Sequence, residues 1–380
     1  MIRRITTSIV TYSISYLPMM TMISAGGVQL QGQYAIQRYY FDLFNAILLL
    51  GMSQSIFKLA NSIPFNSLAR LHKIASSCLF VIMSSTVLAF EFDYALILIL
   101  LSALLYSIGL VSRISLIICE RVGAYQSINA LFPLILGVSP LILYPNKDNH
   151  ITYMILLAAT ISLLATYLMD VGLEKSATKK LTKEELVGVG LQSWQGLIFQ
   201  LVQFSFPLAI SLVLLSNNFG KNEIGMFSIA YTIMAFVYAP ATIFGPNIVA
   251  LMYKTEGNIP FLAIKHLSIG AFAASLLMVI LYFALKEIFN MEMLGVHYTT
   301  IYVVAILPLL AVSRLITPVF IWNGSHIKLI MCELARFVVG IIFFGSLTTG
   351  GYFNFLIGLI ISEIAYIVAS GHYCYKQSKK

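Results

Sequence analysis

The chain has 380 residues, of which 59% are hydrophobic and only 10% are charged, and its mean hydropathy is +0.90. A soluble domain of this size would not stay dispersed in water with so little charge, so the composition excludes a soluble enzyme and predicts a protein of the lipid bilayer. The net charge of +8 comes from basic residues scattered between apolar runs, which argues against nucleic acid as a partner.

Apolar runs long enough to cross a hydrocarbon core of about 30 Å, roughly 20 residues each, recur along the whole chain. We predict twelve transmembrane helices, at 6–26, 38–57, 74–91, 94–113, 124–144, 151–169, 196–215, 225–250, 266–285, 298–319, 328–347 and 353–374. The first run follows Arg3 and Arg4 as a signal peptide would, but it has no convincing small-residue cleavage site. We therefore expect it to be retained as a helix.

The basic residues predict the orientation in the membrane. With the amino terminus in the cytoplasm, seventeen Lys and Arg residues fall in cytoplasmic segments, four fall on the opposite side, and Arg314 and Arg336 lie within spans. Arg113, at the end of the fourth span, belongs to the cytoplasmic group. The positive-inside rule then places both termini in the cytoplasm.

The longest charged interruption divides the predicted spans into six and six. We predict an amino-terminal lobe at 1–170, a cytoplasmic linker at 171–195 and a carboxyl-terminal lobe at 196–380. Within the linker, Thr182 and Glu185 have the spacing of a capping box and predict a short interfacial helix over 181–186.

A faint internal repeat relates the two lobes. The pattern Gly-x-aromatic-small-Ile opens the second span at 32–36 and the eighth span at 225–229. A repeat at equivalent positions is typical of transporters whose halves are related by an axis along the membrane normal. We therefore expect a substrate cavity between the lobes.

Three stretches carry a resemblance to a known family. They are Gly32-Gln33-Tyr34, followed by an apolar span and 51–55; the segment 224–231; and the turn Asn323-Gly324-Ser325-His326. On these the chain resembles the polysaccharide flippases of the multidrug/oligosaccharidyl-lipid/polysaccharide exporter superfamily, in particular the O-antigen (Wzx-type) flippases.

The resemblance implies an all-α integral membrane protein with about twelve transmembrane helices in two six-helix lobes around a central cavity. The implied function is to flip an undecaprenyl-diphosphate-linked oligosaccharide from the cytoplasmic to the periplasmic leaflet of a bacterial inner membrane. We expect alternating access coupled to H⁺ or Na⁺, with a polysaccharide polymerase and a chain-length regulator as partners and no cofactor.

Ionisable groups inside spans are functional candidates because a charge at the bilayer centre is costly. Arg336, in the eleventh span, is our candidate for contact with the carrier diphosphate, and Glu363, in the last span, is a candidate for ion coupling. The two side chains lie at similar depths, so mutual neutralisation stays open. Glu333 is a second coupling candidate or a local partner of Arg336, and Arg314 is expected to snorkel to the interface.

Arg38 and Asp42 lie four residues apart, predicted at the outer end of the second span. They either pair with each other, or Arg38 meets the substrate while Asp42 holds it and serves as a further coupling candidate. Four glutamines fall on one helical face along the approach to the seventh span and its first turns: Gln192, Gln195, Gln200 and Gln203. Pro207 follows within the same span and could kink it. This stripe predicts either a sugar-binding cavity wall or hydrogen bonds between helices.

Two other classes of protein stay open from the sequence. One is an integral-membrane polysaccharide polymerase or ligase, although no large outward loop and no clustered catalytic or metal-binding residues are present. The other is a multidrug exporter on the same fold, since a fold does not determine its substrate. The four cysteines have no paired spacing, so we expect neither disulfides nor a metal site.

Overall fold

The structure is a computed structural model that describes residues 10–11, 14–60, 62–90, 93–143, 148–168, 179–235, 244–245, 248, 250–252, 268–270, 272–273, 276, 280, 314 and 326–378. Ten helices are bounded within this part of the chain: α1 Leu17–Leu48, α2 Met52–Leu59, α3 Phe65–Phe90, α4 Tyr94–Ile118, α5 Val122–Leu143, α6 Asp148–Leu168, α7 Lys183–Ser216, α8 Lys221–Met234, α9 His326–Gly345 and α10 Tyr352–Ser378. Most of the predicted ninth and tenth spans lies outside the described residues.

Helix α1 consists of two helical segments separated by a sharp break. Gly26 and Gly27 have non-helical backbone angles, and Gly27 has a φ of 71°, which a residue without a Cβ adopts at little cost. A second turn follows Leu48, where Leu50 and Gly51 both have positive φ. The predicted second span, 38–57, is therefore wrong in register, because the helical segment runs from 28 to 48 and the chain has turned before α2 begins.

Helix α7 begins earlier than the sequence pattern suggested. The predicted capping box is confirmed, because the Thr182 hydroxyl accepts a hydrogen bond from the Glu185 amide and the Glu185 carboxylate accepts one from the Thr182 amide. The helix is then continuous through Pro207 to Ser216. Residues 183–195 of the predicted linker therefore belong to this helix, and the predicted helix over 181–186 is the beginning of α7 and not a separate element.

Long apolar helices account for most of the described chain. Six of them have the length and hydropathy to cross a membrane: Phe65–Phe90, Tyr94–Ile118, Val122–Ile142, His150–Leu168, Lys183–Ser216 and Tyr352–Tyr373. Helix α3 has the most peripheral position, with exposed Val81, Ile82 and Phe90. A large apolar surface of this kind is stable against lipid tails rather than water.

The described helices form two packed groups that share α1. In the first lobe, α1, α4, α5 and α6 enclose an apolar core around Phe41, Phe132 and Leu136. In the second lobe, α7, α8, α9 and α10 pack around Phe206, Phe227 and Phe344, and residues of α1 join that core. Helix α1 thus contacts both lobes along its length.

Two glycines bring α1 and α8 into backbone contact. A Cβ on Gly32 would collide with the carbonyl oxygen of Lys221, and a Cβ on Gly225 would collide with the carbonyl oxygen of Val28. The contacts are reciprocal, because positions 28 and 32 of one helix meet the equivalent positions 221 and 225 of the other. This local two-fold arrangement supports the internal repeat predicted from the sequence.

The lobes also meet at the opposite end of the bundle, which we call the Gly51 end; the end with the α1 break is the Gly27 end. Gly51 packs directly against the α7 backbone at Ser193 to Leu197, where a Cβ would collide with the Ser193 carbonyl oxygen. The hydroxyls of Ser55 and Ser193 lie 3.2 Å apart. Contacts between the lobes therefore occur at both ends, and the space between them lies near the middle of the bundle.

Candidate functional site: a cavity between the lobes

A cavity of about 630 Å³ lies between the two lobes. Its wall combines aromatic rings with amide and hydroxyl groups from both sides, including Gln31, Tyr34 and Arg38 of the first lobe and Gln203, Ser228 and Tyr231 of the second. The Gln31 side-chain amide donates a hydrogen bond of 3.0 Å to the Ser228 hydroxyl across the interface. The cavity lies between the lobes, as the internal repeat of the sequence predicted.

Arg38 and Asp42 form the charged part of the described cavity wall. The Arg38 guanidinium donates from Nε to Asp42 Oδ2 at 3.1 Å and lies 3.0 Å from Oδ1 through Nη2. It also lies over the rings of Phe41 and Phe132, with Cζ 4.9 and 4.8 Å from the ring centroids. This two-point pairing supports the mutual-pairing interpretation of the two residues.

The depth predicted for Arg38 is wrong. Because the helical segment begins at Val28, Arg38 lies about 15 Å along it, near its midpoint, instead of within a turn of the surface. At this depth a charged pair is stable only where it faces protein or a polar cavity. Sequence reasoning missed this because it did not recognise the Gly26–Gly27 break as the start of the span.

The four glutamines of α7 occupy three different environments. The Gln200 amide donates a hydrogen bond to the Ser53 hydroxyl and joins the lobes, whereas Gln203 lines the cavity. Gln192 and Gln195 are half-buried near the Gly51 end and are not part of the described cavity wall. The stripe thus supplies both an inter-helix contact and one cavity residue.

A closed cluster of four charges lies behind the cavity in the second lobe. Arg336 pairs with Glu333 (Nε to Oε2, 2.8 Å) and with Glu363 (Nη1 to Oε1, 3.1 Å). Arg314 pairs with the same two acids, Glu333 at 2.7 Å and Glu363. Each arginine therefore contacts both glutamates, and the formal charges cancel within the ring.

The cluster is fully enclosed by protein. The side chains of Arg336 and Glu333 are 1% and 0% exposed, the Arg314 guanidinium stacks 3.5 Å from the centroid of Tyr366, and that of Arg336 lies 4.4 Å from the centroid of Phe206. The expectation that Arg314 snorkels to the interface is wrong, because its side chain is 3% exposed and bonded to two acids. Arg336 is not part of the described cavity wall, and its pairing with Glu363 matches the neutralisation left open by the sequence.

Arg113 was not recognised from the sequence as a site residue. It was counted among the cytoplasmic basic residues, but it lies within α4 and is 0% exposed. Its Nη1 donates to the Asn129 side-chain oxygen at 2.6 Å, and its guanidinium carbon lies 4.8 Å from the centroid of the Tyr106 ring. The signal that could have located it is the continuation of the apolar pattern to Ile118, five residues beyond Arg113.

In the described part of the chain, no three His, Cys, Asp or Glu side chains are placed to share a metal ion. Cys78 and Cys119 are free thiols there. The described cavity wall is thus suited to binding through rings, amides, hydroxyls and one ion pair.

The architecture is that of a helical membrane protein with two lobes around an interlobe cavity, and solved structures share it. The chain is similar to a multidrug resistance MATE family transporter of the MOP superfamily in an outward-facing conformation, with a TM-score of 0.61 and 12% identity over 98% of this chain and 95% of that one. It is also similar to such a transporter in an inward-facing conformation (TM-score 0.58, 16% identity, 98% and 95% covered). A mutant of the Vibrio cholerae MATE transporter VcmN gives a TM-score of 0.57 at 13% identity, with 100% and 97% covered.

No family model matches the chain, and no curated protein matches it either. At identities of this level the structural similarity establishes the fold. The predicted fold class, an all-α integral membrane protein of about twelve transmembrane helices in two six-helix lobes around a central cavity, is confirmed.

Proposed function

We propose that this protein is a membrane transporter that flips an undecaprenyl-diphosphate-linked oligosaccharide from the cytoplasmic to the periplasmic leaflet of a bacterial inner membrane by alternating access. The observation that carries the proposal is the chemistry of the interlobe cavity. The described wall presents tyrosine rings, amides and hydroxyls from both lobes and a single arginine–aspartate pair. Hydroxyl-rich, uncharged sugars match such a wall.

The charge balance of the wall favours a sugar over a cationic drug. Asp42 is the acid of the described wall, and Arg38 holds it at two points, so it offers no free negative charge to an organic cation. Rings such as those of Tyr34, Tyr106 and Tyr231 stack on sugar faces, while Gln203 and Ser228 offer hydrogen bonds to hydroxyls.

A multidrug exporter is the second candidate. The solved structures of similar fold include multidrug resistance transporters, and drug export is a function this fold performs in them. The balanced charge of the described cavity is the observation against it. A polymerase or ligase has less support, since the similar structures are transporters.

The residues proposed to serve transport fall into two groups. Arg38 and Gln203 are the substrate-contact candidates on the described wall, and Arg336, Gln192, Gln195 and Gln200 remain candidates away from it. Asp42, Glu333 and Glu363 are the candidates for coupling to H⁺ or Na⁺, and of these Asp42 lines the cavity. A polymerase and a chain-length regulator would act on the flipped unit.

The proposal fixes an orientation, which topology mapping will test. Reporter tags at both termini and within 175–183 are expected to give cytoplasmic signals, and a tag at Asn146 a periplasmic signal. The reason is that most Lys and Arg residues fall in the segments predicted to be cytoplasmic. Paired reporters that are active only in the cytoplasm or only in the periplasm will measure this. A periplasmic carboxyl terminus would contradict the even number of spans.

Deletion of the gene tests the function. We expect surface polysaccharide to disappear while lipid-linked repeat units accumulate on the cytoplasmic face, because the units are made but not moved. Gel analysis of surface polysaccharide and mass spectrometry of extracted carrier lipids will measure both, with plasmid-borne wild-type protein as the control.

Two other outcomes favour the rival functions. Single repeat units that still reach the surface, with only chain length lost, would indicate a polymerase. Unchanged polysaccharide with increased sensitivity to organic cations would indicate a multidrug exporter.

A further inference from the structure

The two lobes hold an arginine at corresponding places but neutralise it differently. Arg314 lies near the end of the predicted fourth span of the second lobe, as Arg113 does in α4 of the first, and the two correspond within about one helical turn. Each arginine donates a hydrogen bond to a residue of the next helix whose bounds are given above. The acceptor is Asn129 of α5 for Arg113 and Glu333 of α9 for Arg314. Both acceptors lie seven positions after the first residue of their helix. The second lobe therefore has a carboxylate where the first has an amide.

The last helix of each lobe shows the same difference. Glu363, which completes the neutralisation of Arg314, lies eleven residues after the start of α10. The residue eleven positions after the start of α6 is Ala159, which is fully buried. Both acids of the charged cluster thus have uncharged counterparts in the first lobe, where no described carboxylate neutralises Arg113.

No carboxylate pairs with Arg113 in the part of the chain that the structure describes, and its Nε and Nη2 atoms are buried without hydrogen-bond partners. A buried guanidinium in this condition raises the free energy of the folded protein, and a bound anion would remove that cost. The same atoms are the donors that recognise phosphate oxygens in pairs.

The Arg113 guanidinium lies directly behind the cavity. Tyr106 and Asn129 both contact Arg113 and both line the cavity wall. The side chains of Tyr106 and Asn129 therefore lie between Arg113 and the cavity. The Arg38–Asp42 pair adds no net charge, so these three charged residues together leave one positive charge on the described first-lobe side of the cavity.

We propose that Arg113 is an anion-recognition residue that binds the phosphate groups of the transported substrate at the first-lobe side of the cavity. This inference rests on the proposed function for the identity of the substrate and assigns its charged headgroup to one place. The cation for that headgroup is then Arg113 rather than Arg336, whose charge is already cancelled.

The sharpest test is Asn129→Asp, which gives the first lobe the arginine–carboxylate pair of the second. Wild type, Asn129→Asp, Arg113→Gln and Arg113→Lys are purified into nanodiscs, with Arg70→Gln, an exposed arginine of α3, as the matched control. Binding of a fluorescent polyprenyl diphosphate is measured beside the corresponding polyprenol, and inorganic diphosphate is added as a competitor. Thermal unfolding is recorded for every variant.

We expect Asn129→Asp and Arg113→Gln to bind the diphosphate lipid about ten- to a hundredfold more weakly, which is the range for losing hydrogen bonds to a charged group. Arg113→Lys should retain part of the affinity, and Arg70→Gln should match wild type. Asn129→Asp should unfold at the wild-type temperature or above, because the new carboxylate neutralises Arg113. If inorganic diphosphate competes, Arg113 recognises the headgroup alone. If inorganic diphosphate does not compete, Arg113 recognises the diphosphate only when it is linked to the lipid.

A structural role for Arg113 predicts the opposite for Asn129→Asp, namely a stronger internal pair with unchanged binding, and that result would overturn the proposal. Equal wild-type affinity for diphosphate and polyprenol would overturn it too. Failure of the proposed function is distinguishable: wild-type protein would then bind the diphosphate lipid without flipping it in liposomes, while the effect of Asn129→Asp on binding would remain.

Discussion

Arg336→Ala is expected to lower the free energy of unfolding by about 3–5 kcal/mol, and its loss of transport should follow from loss of folded protein. The reason is the closed cluster. Removing Arg336 leaves Glu333 and Glu363 sharing Arg314 alone, with a net charge of −1 in a fully buried site. The cost of an uncompensated buried charge exceeds the cost of a cavity of the same size.

Protein level, thermal unfolding in detergent and transport will be measured together, with Arg70→Ala as the matched control because Arg70 is exposed. A second substitution, Glu363→Gln, should recover much of the loss in Arg336→Ala, because the remaining pair of Arg314 and Glu333 is neutral. Arg336→Ala protein that is as stable as wild type but inactive would instead place the Arg336 charge in the transport path.

A charge exchange, Arg336→Glu together with Glu363→Arg, would not preserve the cluster. In the ring, arginines and glutamates alternate, so exchanging the two residues places Glu beside Glu333 and Arg beside Arg314. Like charges then meet at two of the four contacts. Failure of the exchange to restore function is therefore expected for a structural cluster, and the neutral double variant is the better test.

The sequence predicted the helical class, the two lobes, the cavity and the capping box because these depend on local pattern. Apolar length predicts spans, and the 182–185 spacing predicts the start of α7. It also identified Glu333, Arg336 and Glu363 as unusual, since any intramembrane charge is unusual. It offered the pairing of Arg336 with Glu333 and with Glu363, but it did not predict the pairing of Arg314, because that side chain reaches its acids across helices that are distant in sequence.

The depth of a side chain in the membrane was the second property that was predicted poorly. Arg38 was placed near the surface and Arg113 in a cytoplasmic segment, and both errors come from the ends of spans. A helix can end one or two residues earlier or later with little change in the apolar pattern, whereas a shift of ten residues moves a side chain by about 15 Å. The turns at Gly27 and Gly51 determine the register, and both have the positive φ that glycine favours.

Gly32→Ala is expected to open the Gly27 end of the cavity and to slow transport. Even one methyl group on Gly32 would collide with the Lys221 carbonyl, which belongs to a helix backbone and cannot rotate away as a side chain can. Helices α1 and α8 must then separate. Overpacking of this kind costs about 1–3 kcal/mol, enough to change a two-state equilibrium about 5- to 150-fold. Gly225→Ala should have the same effect, because its contact with Val28 is the reciprocal one.

Accessibility of a cavity cysteine will measure this opening. Thr232→Cys, on the cavity wall, is introduced into a chain whose four native cysteines are replaced, and its reaction with a membrane-impermeant thiol reagent is followed from the periplasmic side. Gly188→Ala is the matched control, because a Cβ there meets nothing within 4 Å. The expected result is several-fold faster labelling in Gly32→Ala and Gly225→Ala than in Gly188→Ala, with reduced transport in both.

Equal labelling and equal transport in all three variants would show that the contact between Gly32 and Gly225 does not hold the lobes together at this end. Faster labelling in only one of the two crossing variants would show that the reciprocal contacts are not equivalent, and the two-fold interpretation of the crossing would then fail.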